Sequence, residues 1–577
     1  MRLKISKSKN AQSFYVIQST YIDRKRSTKI VEKLGTLEEV KKKADGQDPI
    51  EWAKKYIEEL TKKEKEGNRE IIKSYSPTKI IDKDKQIKYN CGYLFIQDIY
   101  YKLGINRICN NIENKYKFQF ILNDIMSRLI YGRIIEPSSK LSTYSFSKTL
   151  IEQPTFQLHD IYRALEVISK ESDFIQSELY KNSSKYCERN NRVLYYDCTN
   201  FFFEIEQDDD FRKYGVSKEH RPNPIVQMGL FMDGDGIPLS FDMNPGNTNE
   251  NKTLKPLEEK IIKDFNLSTI VVCTDAGLAS KANRKFNNTN DRKFITTQSI
   301  KQLKQDLKDW ALDKTGWHIP NLDNTVIDIS KLDENEELRL KWKDTTFYKE
   351  KWIKDSDGFE QKMIVTYSIK YAEYQRNIRN NQIKRASNLI NSNPTKIGKS
   401  KQNDFKRFIS TTVTTDDGKE ATKKEYFINQ DIIQEEMKYD GFYAVCTNLE
   451  DNPIEIIKVN HKRWEIEESF RIMKSEFDAR PVYLQREDRI KAHFMICFIA
   501  LMIYRYLEKK LDYKYTVCEI IDTLRNMQLI DEDGDGFRPI YTRTDLTDLL
   551  HDKFGFRNDY QILNNKNLKK VLSQTKK

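Results

Sequence analysis

The chain has 577 residues, of which 38% are hydrophobic and 32% are charged, and its formal net charge is +12. This length is too great for one ordinary hydrophobic core, so roughly three to five domains are expected. Both signs of charge are abundant, which excludes a simple basic tail. The basic excess suits a polyanion such as nucleic acid without requiring one.

Cysteine spacing and apolar runs exclude two further classes of protein. None of the eight cysteines forms a C-x-x-C pair, which argues against structural zinc, and most lie in apolar runs typical of reduced core thiols. The N-terminal stretch MRLKISKSKN lacks the apolar segment of a signal peptide. The longest apolar run, 494–504, is shorter than the ~20 residues that span a bilayer. We therefore expect a cytoplasmic protein with no membrane contact.

The first 190 residues predict two units. Residues 1–75 open with alternating apolar and polar residues around charged turns, which predicts a small β-hairpin unit, and continue into a charged helix that ends at Gly67. Residues 76–190 include YLFIQDIYYKLGI, FILNDIMSRLIYGRII and HDIYRALEVISK, where apolar residues recur every three or four positions. This pattern predicts a helical domain that would serve DNA binding or dimerisation.

From residue 191 the pattern becomes mixed α/β. Residues 191–300 predict three strands, a helix and two further strands, which form the first part of a core with a mixed sheet. Residues 301–440 hold short strand candidates, a basic polar stretch and four of the six tryptophans, at 310, 317, 342 and 352. We predict a β-rich insertion domain there. The core is expected to resume over 441–515, with a helical tail over 516–577.

Two carboxylates each follow a strand-like apolar run. Asp197 lies in LYYDCTNFFFE, and Asp275 follows the apolar run of IVVCTDAG. A single Asp of this kind is usually a turn or helix-cap residue. A pair on neighbouring parallel strands would instead meet at one end of the sheet, where open α/β sheets place their sites. Close carboxylates repel unless a cation lies between them, and hard cations prefer oxygen ligands, so the pair predicts a Mg²⁺ or Mn²⁺ site.

A third acid lies on a later amphipathic helix, HKRWEIEESFRIMKSEF (461–477). At about 100° per residue, four charged side chains share a sector of about 80°: Arg463, Glu467, Arg471 and Lys474. Beside them runs an apolar stripe: Ile466, Phe470, Met473 and Phe477. The helix would therefore pack on the core and present one acid among three bases. The alternative is an ordinary salt-bridged amphipathic helix.

The order of these acids resembles that of a known family. An Asp after a first strand, an Asp after a fourth and a Glu on a helix beyond a long insertion is similar to the order in DDE transposases, which have an RNase H-like fold. The helix resembles the Tyr-x2-Arg-x3-Glu-x6-Lys signature of the insertion-sequence-4 superfamily, with Asn460 at the Tyr position. The stretches 214–238, 244–254 and 484–505 also resemble family segments, so the resemblance covers roughly 190–505.

The resemblance implies a reaction and a cofactor. An RNase H-like α/β core, interrupted by an insertion, would use Asp197, Asp275 and Glu467 to hold two Mg²⁺ or Mn²⁺ ions. Asp197 would bridge both ions, and the other two acids would hold one each. A two-metal site clamps the attacking and leaving oxygens of a phosphodiester. The enzyme would cut DNA at the ends of an insertion element and join the 3′-hydroxyl ends to target DNA.

The resemblance also implies DNA contacts and partners. Arg463, Arg471 and Lys474 would lie against phosphates near the cleaved end, where they position DNA without reading its bases. Lys218 and Arg221, in SKEHR, are further candidates. An insertion tryptophan would either stack an unpaired base or belong to a core. The partners would be double-stranded terminal inverted repeats and target DNA, bound by a homodimer in the bacterial nucleoid.

Three alternatives stay open from the sequence. The first is a decayed or repurposed DNA-binding protein on the same fold, which Asn460 favours. The second is an RNase H-like nuclease without strand transfer, which shares the same carboxylates. The third is a scaffold protein, which would have no need for three acids in this order.

Overall fold

The computed structural model describes residues 1–8, 11–22, 25–67, 76–78, 80–267, 269–320, 322, 325–392, 404–414 and 423–577. The chain divides into two compact units, Met1–Lys85 and Gln86–Lys577. The first boundary lies near the predicted one at residue 75. The predicted boundaries at 190, 300, 440 and 515 do not separate compact units.

The first unit is a three-stranded antiparallel sheet with two helices, one strand more than the predicted hairpin. Alternation in the strands turns Phe14, Val16 and Leu34 inward, where they share a core with Val40 and Ala53 of the helices. The elements are β1 (Arg2–Ser8), β2 (Ala11–Ile22), β3 (Lys25–Thr36), α1 (Leu37–Lys43) and α2 (Pro49–Gly67).

The second unit begins with the predicted helical region. Its apolar residues, three or four apart, share one hydrophobic core with the strands and helices that follow. The region is therefore helical as predicted, but it is part of the larger unit and not a domain of its own. The elements are β4 (Lys88–Asn90), α3 (Tyr93–Lys102), α4 (Ile105–Glu113), α5 (Leu122–Ile135), α6 (Lys140–Ser147), α7 (Leu158–Lys170) and α8 (Ser172–Tyr186).

A mixed sheet follows, with the predicted order of three strands, a helix and two strands. The elements are β5 (Val193–Phe202), β6 (Ile225–Asp233), β7 (Pro238–Pro245), α9 (Leu254–Phe265), β8 (Ile270–Thr274), α10 (Lys281–Phe286) and β9 (Arg292–Gln298). Across the sheet these strands lie in the order β7-β6-β5-β8-β9. The β5–β8 and β8–β9 pairs are parallel, whereas β6 and β7 pair antiparallel.

Residues 301–440 do not form the separate insertion domain that was predicted. Four of their strands continue the main sheet. The link is β16 (Phe442–Thr447), which lies antiparallel beside β9 and pairs along its other edge with β13 (Glu360–Ser368). The sheet reads β11-β10-β12-β13-β16-β9-β8-β5-β6-β7 in the described part of the chain. The described part of the basic polar stretch, residues 374–392, lies in a long helix, α14, and the rest of the stretch is outside the described residues. The elements are α11 (Gln305–Leu312), β10 (Trp317–His318), β11 (Val326–Ile327), α12 (Lys331–Glu334), α13 (Glu336–Lys341), β12 (Thr346–Lys354), β13 (Glu360–Ser368), α14 (Ile369–Ser392), β14 (Ile409–Thr414), β15 (Lys423–Ile428), α15 (Gln430–Met437) and β16 (Phe442–Thr447).

The rest of the unit is mainly helical. Its elements are α16 (Pro453–His461), α17 (Trp464–Arg471), a π-helical turn (Ile472–Glu476), α18 (Glu487–Lys510), α19 (Val517–Asn526), β17 (Gln528–Asp531), β18 (Phe537–Pro539), α20 (Asp545–Phe554) and α21 (Asn565–Gln574). The strand β17 pairs with both β18 and β4, so the predicted tail closes back on the start of the unit.

Helix α18 is the centre of the main core. By length and composition it is the one described helix apolar enough to cross a membrane, but 94% of that apolar window is buried inside the fold. Its Arg505 donates hydrogen bonds to Ser469 Oγ (2.8 Å) and to the Glu465 carbonyl (3.1 Å). These bonds fix α17, the helix that carries the third predicted acid, against the core.

Candidate active site

Two of the predicted acids lie at the same end of the sheet. In the parallel β5–β8 pair, Tyr195 is opposite Cys273, and each aspartate lies two residues further along its strand direction. Because side chains alternate between faces, Asp197 and Asp275 project to the same face of the sheet. β8 ends at Thr274, so Asp275 begins the connection at the carboxyl end of that strand.

The electrostatics of Asp197 show that the two acids interact. Asp197 is only 8% exposed, and burial raises the pKa of its carboxyl to about 6. The charge of Asp275 also raises this pKa, while Lys218 and Arg463 oppose the rise. Its Oδ1 accepts a hydrogen bond from the Cys198 amide at 2.7 Å. A buried carboxylate next to a second one favours a proton or a bound cation.

Asp275 also has a structural role. It is the N-cap of the short 3₁₀ turn Ala276–Leu278, and its Oδ1 accepts a hydrogen bond from the Leu278 amide at 2.9 Å. This is the ordinary role that a lone Asp at a strand end would be expected to have. The cap uses one carboxylate oxygen and fixes the direction of the side chain.

Lys218 comes to the acids from the loop between β5 and β6. Its Nζ lies 3.9 Å from Asp197 Oδ1 and 3.4 Å from Glu250, and it donates to the Cys198 carbonyl. Burial opposes a charge on this lysine, but Asp197 and Glu250 together raise its pKa above the ordinary value. Glu250, in the stretch 244–254, was not among the residues predicted from the sequence.

The third acid lies on a shorter helix than predicted. α17 covers Trp464–Arg471, and a π-helical turn replaces regular helix over Ile472–Glu476. The predicted apolar stripe is buried in the main core, as expected: Ile466, Phe470, Met473 and Phe477. The wider π turn changes the angular position of residues after Arg471, which a regular 100° repeat does not describe.

Arg463 connects the third acid to the first two. Its guanidinium lies 2.9 Å from Glu467 Oε1, and it also interacts electrostatically with Asp197 and Asp275. Burial would lower the pKa of Arg463, but these carboxylates together raise it. Glu467 is 56% exposed. The structure thus brings two acids together, and the third pairs with an arginine that interacts electrostatically with both of them.

The other predicted bases, Lys474, Arg471 and Arg221, differ in their surroundings. The Nζ of Lys474 lies 3.2 Å from Glu219. Burial and the nearby charge of Lys218 lower the pKa of Lys474 to about 8, whereas the charge of Asp197 opposes this change. Arg471 instead pairs with Glu468 at 2.9 Å and is exposed. Arg221 lies over the Phe202 ring, 4.5 Å from its centroid.

The chain has Asn460 where the signature has tyrosine, but a tyrosine from another element contacts this asparagine. Asn460 is buried, and its Nδ2 donates to the Tyr443 hydroxyl at 2.8 Å. Tyr443 lies on β16, also shares a hydrogen bond with Thr297, and interacts electrostatically with Arg463. A phenol therefore lies beside Arg463 although the chain has Asn at the signature position. The pattern of α16 and α17 alone contains no sign of this, because Tyr443 comes from a strand.

The insertion tryptophans are mainly core residues. Trp317 is fully buried, and Trp310 and Trp342 pack against the same hydrophobic cluster. Trp352 is half exposed on β12.

The donor set near β5 and β8 suits a hard divalent cation only in part. Two carboxylates meet there, and their oxygens are the ligand type that Mg²⁺ and Mn²⁺ prefer. Across the residues that the structure describes, however, no three His, Cys, Asp or Glu side chains lie close enough together to hold a metal ion. Glu467 would complete the set only after leaving Arg463.

Lysine and arginine side chains thus lie near two interacting carboxylates on a mixed sheet, an arrangement that suits an anionic partner. Residues 192–503, more than half of the chain, match the family described as Transposase DDE domain, and the chain belongs to this family. Membership implies a DNA-cleaving or transposing enzyme. No curated protein sequence matches the chain.

Two solved transposase structures are similar to the chain. One is a piggyBac transposase synaptic complex with hairpin DNA, at 8% identity over 84% of each chain, with a TM-score of 0.34. The other is a Mos1 transposase paired-end complex with the left transposon end, at 11% identity over 43% of this chain and 68% of that one, with a TM-score of 0.13. At these low TM-scores we base no conclusion on either likeness.

Proposed function

We propose that the protein is a transposase of the insertion-sequence-4 type, with an RNase H-like core, that cuts DNA at element ends and joins the 3′-hydroxyl ends to target DNA. The observation that carries this proposal is that Asp197 of β5 and Asp275, just after β8, interact electrostatically, and that Arg463 interacts with both of them and pairs with Glu467. The strand order β7-β6-β5-β8-β9 supports the RNase H-like assignment, because it places the first and fourth strands side by side.

In this proposal, Asp197, Asp275 and Glu467 would hold two divalent cations, Mg²⁺ or Mn²⁺. Bound cations would supply an activated water and neutralise the leaving oxygen of the phosphodiester. The chain's own residues prepare the site. Asp197 must lose its proton to act as a ligand, and Asp275 is already oriented by its cap to Leu278.

The bases around the acids would exchange partners when DNA binds. Arg463 and Lys218 now neutralise the carboxylates, and a phosphate offers each of them a second anion. Transfer of Arg463 to a phosphate would release Glu467 toward the two aspartates. Lys474, Arg471 and Arg221 would add contacts that position the DNA backbone. The partners would be terminal inverted repeats and target DNA, and the active form would be a homodimer in the bacterial cytoplasm.

The test is cleavage of a duplex that carries the element's end. We expect Mg²⁺-dependent nicking by the parent chain and none by Asp197→Asn, with joining to a second duplex when both DNAs are present. Nicking without joining would favour an RNase H-like nuclease. Metal-independent binding without any nicking would favour a decayed DNA-binding protein, the alternative raised by Asn460.

A further inference from the structure

A basic cavity lies beside the site, between the start of α6 and the segment that follows the π-helical turn. Its volume is about 350 Å³, and its polar walls include Arg133, Ser138, Ser139, Lys140, Arg480 and His493. These residues line the basic cavity. None of these side chains belongs to the proposed cation site.

The two innermost cations of the basic cavity have no anionic partner. Lys140 is 6% exposed, and its Nζ contacts His493 Nδ1 at 3.4 Å. Arg133 is also buried; its terminal nitrogens donate only to backbone carbonyls, among them Phe477 O at 2.9 Å, and its Nε has no hydrogen-bond partner. Within the described residues, no carboxylate oxygen lies within 4.0 Å of either group.

Burial of unpaired cations is costly, which indicates that an anion belongs between them. A buried charge is ordinarily paired or neutralised. Burial lowers the pKa of Lys140 to about 7, and the charge of Arg133 lowers it further. His493 does not neutralise these cations. Burial lowers the pKa of His493 well below the ordinary value, and its Nε2 lies 3.2 Å from the Ala479 carbonyl. The one acid on the wall, Asp478, is exposed; it interacts electrostatically with Arg133 but does not come within ion-pair distance of it.

The backbone adds further donors. Ser139 is the N-cap of the eight-residue helix α6 and accepts from the Ser142 amide at 3.1 Å. The first amides of the helix, at Lys140 and Leu141, have no intrahelical acceptor, and both residues line the cavity. A helix start of this kind favours an oxyanion.

The basic cavity is connected to the proposed cation site by a chain of ion pairs. Arg480 on its wall pairs with Glu219, and Glu219 also lies 3.2 Å from Lys474, which interacts electrostatically with Asp197. Arg480 and Arg221 both lie over the Phe202 ring at the end of β5. A DNA strand that reaches the acids would therefore pass the mouth of the cavity.

We infer that the basic cavity binds one phosphate group of the DNA strand held at the acids, with Lys140 and Arg133 as its charged ligands. The assignment of the phosphate to DNA rests on the proposed function. Phosphate contacts of this type fix the register of a strand without reading its sequence. The basic cavity would thus position the strand relative to the scissile bond.

The experiment measures binding of the full-length chain to a random-sequence duplex in metal-free buffer, as a function of salt. Each phosphate contact that is lost lowers the slope of log affinity against log salt by about one. We expect that decrease for Lys140→Met and a parent-like slope for Lys140→Arg, which keeps the charge. Lys148→Met is the matched control, because Lys148 is an exposed lysine at the other end of α6.

A second measurement separates DNA phosphate from free anion. Inorganic phosphate should raise the unfolding midpoint of the parent by mass action, and this rise should vanish in Lys140→Met. If the rise vanishes while the salt slope stays unchanged, the cavity takes a free anion and the DNA assignment is wrong. If inorganic phosphate does not raise the parent's unfolding midpoint and Lys140→Met keeps the parent's salt slope, the cavity binds no phosphate and the inference is overturned.

Two features keep this test independent of folding and of cleavage. Methionine is apolar and similar in length to lysine, so Lys140→Met should fold with an unfolding midpoint at or above that of the parent. If it does not fold, the parent's response to inorganic phosphate still decides whether an anion binds. Binding without metal also differs from the cleavage assay, so a catalytically inactive chain would still give the expected slopes.

Discussion

Substitution of Glu467 by Gln tests the residue for which an ionic role and a ligand role predict different results. In the structure its carboxylate is 56% exposed and lies 2.9 Å from Arg463. An exposed ion pair contributes about 0–1 kcal/mol. If pairing were its only role, its loss would change a rate by no more than about fivefold, since 1.36 kcal/mol corresponds to about tenfold. Folding and metal-free DNA binding should survive either way.

A ligand role predicts a much larger loss of cleavage. The amide is neutral, has one acceptor oxygen fewer and cannot balance the charge of a second cation. We expect the rate of nicking at element ends in Mg²⁺ to fall by about 10³-fold or more, which corresponds to about 4 kcal/mol of transition-state stabilisation. The assay is single-turnover nicking of an end-bearing duplex, with thermal unfolding measured in parallel.

Glu468→Gln is the matched control on the same helix. Glu468 pairs with Arg471 at the same 2.9 Å but lies about 100° around the helix from Glu467. We expect it to cleave at the parent's rate. A parent-like rate for Glu467→Gln, or a loss of cleavage confined to Glu468→Gln, would refute the role assigned to Glu467.

The two aspartates and Lys474 give further expected outcomes. Asp275→Asn should abolish nicking yet keep its cap to Leu278, whereas Asp275→Ala should also lower the unfolding free energy by about 1 kcal/mol; equal unfolding curves would contradict the cap. Burial raises the pKa of Asp197 to about 6, so the charged carboxylate disfavours folding above that pH. The free energy of unfolding of Asp197→Asn should therefore exceed that of the parent by on the order of 3 kcal/mol at pH 8, and this difference should decrease as the pH falls toward 4. Lys474→Ala should lower the salt slope of DNA binding by about one, and Lys458→Ala, exposed on α16, should not; equal slopes would mean that Lys474 does not contact DNA.

The strands of residues 191–300 and the meeting of two acids were predictable from local pattern. β5 begins with the apolar run Val193–Tyr196, which Asp197 follows within the strand, and β8 is an apolar run that ends one residue before Asp275. Pairing these runs as parallel neighbours brings both acids to the same side of the pair. The apolar stripe of α17 was equally plain, because four large side chains recur at helical spacing.

The extension of the sheet beyond β9 was not predictable in the same way. β10 and β11 have two residues each, too few to show alternation, and their partners are set by contacts distant in sequence. α14 buries only Ile369, Ala372, Arg379 and Ala386 along 24 residues, so its polar sequence contains no apolar stripe to mark a helix.

Parts of the site were hidden for similar reasons. The π-helical turn after Arg471 follows no regular repeat, so the angle of Lys474 could not be read from spacing. Lys218 reaches Asp197 from a loop, and Tyr443 on a strand interacts with Arg463; only the tertiary fold brings these residues together. Glu467 was placed on the correct helix, but its pairing with Arg463 depends on side-chain conformation.

The return of β16 beside β9 also governs how freely this chain can change length. Between Gln298 and Phe442 the chain leaves β9 and then returns beside it as β16, before α17 begins. Closing a flexible loop of twice the length costs only about 0.6 kcal/mol more, less than the burial of one methylene group, about 0.8 kcal/mol. As long as β13 and β16 keep their pairing, insertions and deletions in the loops between Gln298 and Phe442 should leave the third acid where it is. Helix α17 is thus protected from length changes in the loops that separate it from the first two acids along the chain.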